Sequence, residues 1–196
     1  MNKGFTLIEV LVSVILFAVF VTIAVGGFVS ALHSQREVAF LIAAQSNAGT
    51  ALEQMAREIR TGYLFCNDPG HNGNPGPACA YPICTITNNV WTCSELDFYD
   101  ANSENVHYKL QGGSLLRSDT GSTGTFVPIT ADNVRITYLD FTLFGNTEGD
   151  HWNPRITIAM QVVPSSTDPA LTSDILNLQT SISARTIDCP QNGSSC

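Results

Sequence analysis

The sequence predicts an α+β chain: one long N-terminal helix, its first half apolar all round, packed against a mostly antiparallel β-sheet domain. Three observations predict it. Between Phe5 and Leu32 the one ionisable residue is Glu9, in an otherwise apolar run uninterrupted by proline. Beyond it, Val38, Leu41, Ile42, Ala48, Leu52, Met55 and Ile59 recur at three- and four-residue spacing, the period of a helix with one covered face. From Leu96 onward, apolar and polar residues alternate with period two in short runs bounded by turn formers, the pattern of half-buried strands.

The first run comfortably exceeds the ~20 apolar residues that carry a helix across a bilayer. A helix of Val, Ile, Leu, Phe and Ala satisfies its own backbone groups, as a hydrocarbon environment demands. The amphipathic continuation over 33–62 carries Gln35, Arg36, Glu37, Gln45, Glu53, Gln54, Arg57 and Glu58 between its apolar positions, and Glu53 and Arg57 stand four apart in the favourable order. Gly62 is the expected terminator of a helix running from Phe5 to about Thr61. Gly26-Gly27 marks a soft point of the helix or a place of close helix packing.

The β-rich domain occupies 63–196. Its first stretch, Cys66 to Cys93, contains Asn67-Asp68-Pro69-Gly70-His71-Asn72-Gly73-Asn74-Pro75-Gly76-Pro77, which has no period and predicts a long surface loop tethered by cysteines. Strands are then expected at Leu96–Tyr99, Val106–Gln111, Leu115–Leu116, Phe126–Ile129, Val134–Phe144, Ile156–Val162 and Leu176–Ile182, with Gly112-Gly113 turning a hairpin. Within the long strand the apolar set changes faces, from Val134, Ile136 and Tyr138 to Leu139, Phe141 and Leu143, so a bulge or bend is expected near Tyr138. There is no internal repeat.

Glu9 requires a partner, because a carboxylate among lipid tails costs about 2.5–3.5 kcal/mol on insertion scales. An ordinary secretory signal, with Lys3 as its charged region and Val29-Ser30-Ala31 as its cleavage site, would need an apolar core of only roughly 7–15 residues. A plain anchor leaves the carboxylate unexplained. Gly4-Phe5-Thr6-Leu7-Ile8-Glu9 followed by the apolar run resembles the N-terminal signature of type IV pilins and type II secretion pseudopilins. The resemblance implies a leader over 1–4, cleavage after Gly4 by a prepilin peptidase, methylation of the new terminal Phe5, and a transmembrane or filament-core segment over 5–32. It implies a pilin-like fold, other pilin or pseudopilin subunits as partners through the N-terminal helix, and an inner-membrane assembly platform. The electrostatics agree: the Phe5 amine of a neighbouring subunit is a natural counter-charge for Glu9, which would set the axial register of stacked helices.

Further on, Leu52–Arg60, Val134–Tyr138, the Asn153–Ile158 strand and Gln179–Arg185 are similar to stretches of the larger minor pilins and J-type minor pseudopilins. This implies a low-copy subunit that primes or caps a type IV pilus, with a minor pseudopilin driving protein export as the alternative, and an adhesive tip module displaying the 66–93 loop as a second one. The precursor would be a single-pass membrane protein with its C-terminal domain exported, later in an extracellular pilus or a periplasmic pseudopilus.

Six cysteines in an exported domain suggest three disulfides, whose 15 possible connectivities sequence cannot separate. Cys189–Cys196 is the favoured single pair, with Cys66, Cys79, Cys84 and Cys93 paired among themselves. No C-x-x-C spacing supports zinc, even with His71 nearby. No catalytic motif is present: Gly112-Gly113 and Gly121-Ser122-Thr123-Gly124 fall between strands, Asp150-His151-Trp152 lacks a nucleophile, and His33, His71, His107 and His151 are scattered and expected at the surface. No catalytic residue, cofactor or metal is expected; Asn146, Glu148 and Asp150 could offer Ca²⁺ oxygen ligands at two-residue spacing but equally suit a solvated loop. Net charge is −8, with thirteen acidic residues from Asp68 onward against Lys109, Arg117, Arg135, Arg155 and Arg185, which disfavours nucleic acid as a partner.

Overall fold

The computed structural model describes residues 6–68, 76–77, 84–88, 90–145, 152–165 and 175–185. They form one helix, α1 (Leu7–Thr61), and eleven strands: β1 (Asn67–Asp68), β2 (Gly76–Pro77), β3 (Cys84–Thr87), β4 (Val90–Cys93), β5 (Glu95–Tyr99), β6 (Asn105–Gln111), β7 (Ser114–Ser118), β8 (Val127–Pro128), β9 (Val134–Phe144), β10 (Arg155–Pro164) and β11 (Leu176–Ser183). The chain divides into two compact units, Met1–Leu41 and Ile42–Cys196.

The described part of the first unit is helix from Leu7 onward. Its large apolar side chains, from Leu7 to Leu32, all stand exposed. The one helix of the described chain that is long and apolar enough to cross a membrane is this one.

The second unit contains the last five turns of α1 and the sheets. Here the helix buries Ala44, Ala48, Ala51, Met55 and Ile59, a stripe at three- and four-residue spacing, with Leu52 and Ala56 packed at its margin. The predicted stripe is confirmed from Ala48 onward. Val38 and Ile42, assigned to it by spacing, are exposed instead. The alanines Ala44, Ala48 and Ala51 let the helix backbone lie close to its covering.

The sheet system is antiparallel. One sheet has the order β11-β10-β9-β4-β3 and the other the order β5-β6-β7-β8, while β1 and β2 pair by themselves. The β9–β10 ladder carries the expected bulge: Tyr138 pairs with Gln161 and Ile136 with Val162, leaving Thr137 without a Cα partner. The extra residue exposes Thr137 and Tyr138 side by side and returns Leu139, Phe141 and Leu143 to the core face. On the other face of this sheet, Ser181, Thr157, Thr142, Thr92 and Thr85 lie in one row across all five strands. β-branched hydroxyl residues suit a pleated, half-solvated surface, so the row is consistent with a solvent-facing side.

Gly112 and Gly113 both take left-handed conformations and close the β6–β7 hairpin as predicted. The expected strand over 126–129 is present but reduced to β8. The cysteine-tethered stretch departs further from expectation. It contains a strand pair, β1–β2, and a hairpin, β3–β4, whose second strand is inserted against β9. Asn88, left-handed in the tight connection after Thr87, supplies the turn.

Helix and sheets meet at an aromatic core. Phe65 and Phe98 have ring centroids 5.3 Å apart, and Phe98 and Tyr108 6.2 Å apart. Gly62 ends the helix beneath them: a Cβ there would lie 2.6 Å from Phe98 Cδ2 and 3.2 Å from Phe65 Cζ. A polar clamp sits beside the stack. Glu58 Oε2 accepts from Tyr108 Oη at 2.7 Å and from Arg117 Nε at 3.1 Å, joining helix, β6 and β7. Burial, and then the Glu58 carboxylate, push the Tyr108 phenol far above its ordinary value, so it remains a donor at every accessible pH. At the far end, Arg185 N–H donates to the Arg60 carbonyl at 3.0 Å, tying the exit of β11 to the helix terminus.

Two substitutions test this packing. Glu58→Ala strands a buried phenol and a guanidinium and should cost about 1–3 kcal/mol in denaturant unfolding. Gly62→Ala should cost about 1–3 kcal/mol through overpacking against Phe98 and Phe65, whereas Gly49→Ala, with open space around it, should not destabilise.

Candidate functional site: the N-terminal helix and the cysteine region

The first turn of α1 is capped from its own sequence. Thr6 stands at the N-cap, and the Glu9 N–H donates to Thr6 Oγ1 at 3.4 Å and to the Thr6 carbonyl at 3.1 Å. Thr6-Leu7-Ile8-Glu9 is thus a capping-box sequence, which gives Glu9 a helix-starting role that sequence reading passed over in favour of its charge. An acidic residue in the first turn also complements the positive end of the helix dipole. The Glu9 side chain is exposed. Gly4 and Phe5 lie outside the described residues.

Farther along, two hydroxyls of the apolar run bond within the helix. Ser13 Oγ donates to the Glu9 carbonyl at 2.7 Å and Thr22 Oγ1 to the Ala18 carbonyl at 2.8 Å. Neither of these hydroxyls would be left unpaired in lipid, and Glu9, the one ionisable residue of the run, is the group that would call for an external counter-charge there. Gly26 and Gly27 are helical, and beyond the helix's own nearby backbone a Cβ at either would meet no atom of the described residues within 4 Å. Nothing within the chain therefore requires glycine there, and the pair costs the helix about 1 kcal/mol per residue relative to alanine.

The cysteines behave as an oxidised cluster. Cys84 and Cys93 form a disulfide across the β3–β4 pair. Cys66 is disulfide-bonded as well. The sulfurs of Cys66, Cys84 and Cys93 all lie within 4.8 Å of one another and are buried. Three sulfurs in that arrangement would suit a soft metal as thiolates, but all three are engaged in disulfides. The Cys84–Cys93 bond is compatible with pairing among Cys66, Cys79, Cys84 and Cys93. Cys79, Cys189 and Cys196 lie outside the described residues, as does the 146–150 segment considered for Ca²⁺. Leu64 and Cys66 hold left-handed backbone conformations uncommon for such residues. Cys66 N–H donates to the Asp97 carbonyl at 2.6 Å, and Tyr63 exchanges two backbone hydrogen bonds with Tyr99, which together hold this segment along β5.

One of the histidines expected at the surface is not there. His107 is buried on β6, with a carboxylate at each ring nitrogen. The alternation of β6 correctly puts it on the face away from the aromatic core; sequence gave no sign that this second face is also covered. His33 is exposed, and His71 and His151 lie outside the described residues.

The stabilising share of the cross-strand disulfide is open to measurement. Replacing both Cys84 and Cys93 by serine should lower unfolding free energy by about 2–3 kcal/mol, the loop-closure value for a short loop, and the loss should be read under non-reducing conditions.

Among protein families, the one described as the prokaryotic N-terminal methylation motif matches residues 1–25. No curated protein and no solved structure matches the chain. The matched segment contains the Gly4-Phe5 junction, the Thr6–Glu9 cap and most of the exposed apolar helix, and behind it stands the α+β arrangement of long helix and antiparallel sheets. The chain thus carries a prokaryotic N-terminal methylation motif over its first 25 residues, and that motif, together with the long helix and the antiparallel sheets, supports a type IV pilin or pseudopilin.

Proposed function

We propose that this chain is a minor pilin: a structural subunit cut after Gly4 by a prepilin peptidase, methylated on Phe5, and drawn into a type IV pilus that it primes or caps. The observation that carries the reading is the apolar helix from Leu7 to Leu32, exposed along its whole length and interrupted by one unneutralised carboxylate. Such a surface requires lipid before assembly and other helices afterwards. The Phe5 amine created by cleavage provides the positive charge that Glu9 lacks, when supplied by an adjacent subunit. Burying the two together compensates each, whereas burying either alone is penalised. The β-rich domain supports a low-copy subunit through its inserted, disulfide-braced β3–β4 hairpin.

The test separates membrane insertion from assembly. Glu9→Leu should leave cleavage after Gly4 intact and anchor the protein in the membrane, yet remove it from sheared filaments. Gly4→Leu should leave the leader attached. A Glu9→Leu protein that still enters filaments at the wild-type level would contradict the register role. Loss of protein export with surface pili intact, on deleting the chain, would transfer it to a type II secretion pseudopilus.

A further inference from the structure

The outer face of the β5–β8 sheet carries a buried ionisable cluster that the assembly reading does not use. His107 Nδ1 lies 3.2 Å from Asp97 Oδ2, and His107 Nε2 lies 2.9 Å from Glu95 Oε2. Asp97 and His107 are direct cross-strand partners, each less than a tenth exposed. Asp97 Oδ1 has no hydrogen-bond partner among the described residues, so His107 is the compensation that carboxylate has. Two carboxylates at the two ring nitrogens ask for two N–H donors, which only the imidazolium supplies.

Beside the cluster runs the segment Asp119–Phe126, whose last residue lies on the His107 ring. Phe126 meets the His107 ring edge-on, centroids 5.5 Å apart, and Lys109 Nζ lies 3.6 Å from the centroid of the Phe126 ring. At the other end Gly121 N–H donates to the Asn105 carbonyl at 2.8 Å, and Thr120 N–H to Ser118 Oγ at 3.3 Å. Gly121 is left-handed and sits so close that a Cβ would be 2.9 Å from Asn105 Nδ2. The segment is a strap seated at both ends of the cluster.

We propose that Glu95, Asp97 and His107 form a proton-controlled latch that holds the 119–126 strap on the sheet while His107 is imidazolium and releases it when that proton is lost. Among the described residues, the charged and titratable groups around it are Glu95, Asp97 and Tyr99 from β5, Lys109 from β6, and the exposed Asp119 of the strap; on β7 the direct neighbour is Ser118, and Arg117 faces the opposite side, bound to Glu58. Lys109 works against imidazolium, and the two carboxylates work for it. Burial alone would push His107 down, but its hydrogen bonds to Asp97 and Glu95 overcome this and hold it above the ordinary value. A raised folded value means that the latch is at full strength below the ordinary histidine value, about pH 6.5, and weakens as pH rises through the raised one. Release uncovers Phe126 and the outer face of β5–β7. An exported domain would thereby alter its surface with the pH of the medium.

The experiment is hydrogen–deuterium exchange on the full chain in detergent micelles, from about pH 6 to about pH 9, corrected for the pH dependence of chemical exchange. Protection of peptides covering 119–126 should fall in one step across this range, while the core strands β9 and β10 stay protected. His107→Gln should abolish the step, and Glu95→Gln, which removes one supporting charge, should move it to lower pH. Strap protection that does not change with pH, or the same step in His107→Gln, would overturn the latch. Should His107→Gln loosen the whole domain, Glu95→Gln decides: an unmoved midpoint refutes the proposal.

Discussion

Everything in this chain follows from a helix that has two different environments along its length. Its first part offers apolar side chains on every side and cannot stand in water. Its last five turns offer one stripe of alanine, methionine and isoleucine, covered by sheets. The hydrophobic effect acts on both, at about 25 cal/mol for each Å² withdrawn from water. The second part is satisfied within the chain. The first can be satisfied only from outside it, by lipid or by other helices. A protein constructed this way needs lipid or other helices around its first part, and on the proposed reading Glu9 is the place where assembly would gain a register.

The β domain is accordingly built to fix the end of that helix. Met55 and Ile59 enter the core, Gly62 admits the Phe65–Phe98–Tyr108 rings, and Glu58 ties helix, β6 and β7 through two hydrogen bonds. Arg60 receives the chain leaving β11. The disulfide between Cys84 and Cys93 braces a hairpin that β9 has taken into its sheet. The same logic of paired charges recurs at three depths: in water for the exposed Glu53–Arg57 pair, at the helix–sheet boundary for Glu58, and under the strap for His107. The second and third are the ones whose partners lose most if one member is removed.

Local signals carried much of this in the sequence. The apolar run, the helical period ending at Gly62, the glycine hairpin at 112–113 and the change of faces near Tyr138 each depend on residues close together in the chain, and each predicts its element to within a few residues. The bulge at Thr137 is the clearest case, because a period-two pattern cannot change faces without an extra residue. What was not legible was non-local. Val90-Trp91-Thr92 forms a strand because it braces against β9, about fifty residues later, and Thr85-Ile86-Thr87 pairs with it in turn; their surroundings of proline, glycine and asparagine hid both. Val38 and Ile42 share the spacing of the buried stripe, but spacing does not say where covering begins. His107 is met by Phe126, at the end of a stretch of threonine, serine and glycine whose composition suggests only a turn. The capping role of Glu9 was present in Thr6-Leu7-Ile8-Glu9 and was obscured by a more conspicuous explanation for the same carboxylate.

The central claim is that the exposed helix is the assembly segment of a processed subunit. It is tested most directly by the intact mass of the protein recovered from sheared surface filaments, reduced and non-reduced. The account predicts a chain beginning at Phe5 that carries one added methyl group and its cysteines as disulfides. A chain retaining Met1, or one cut near Ala31, would contradict it.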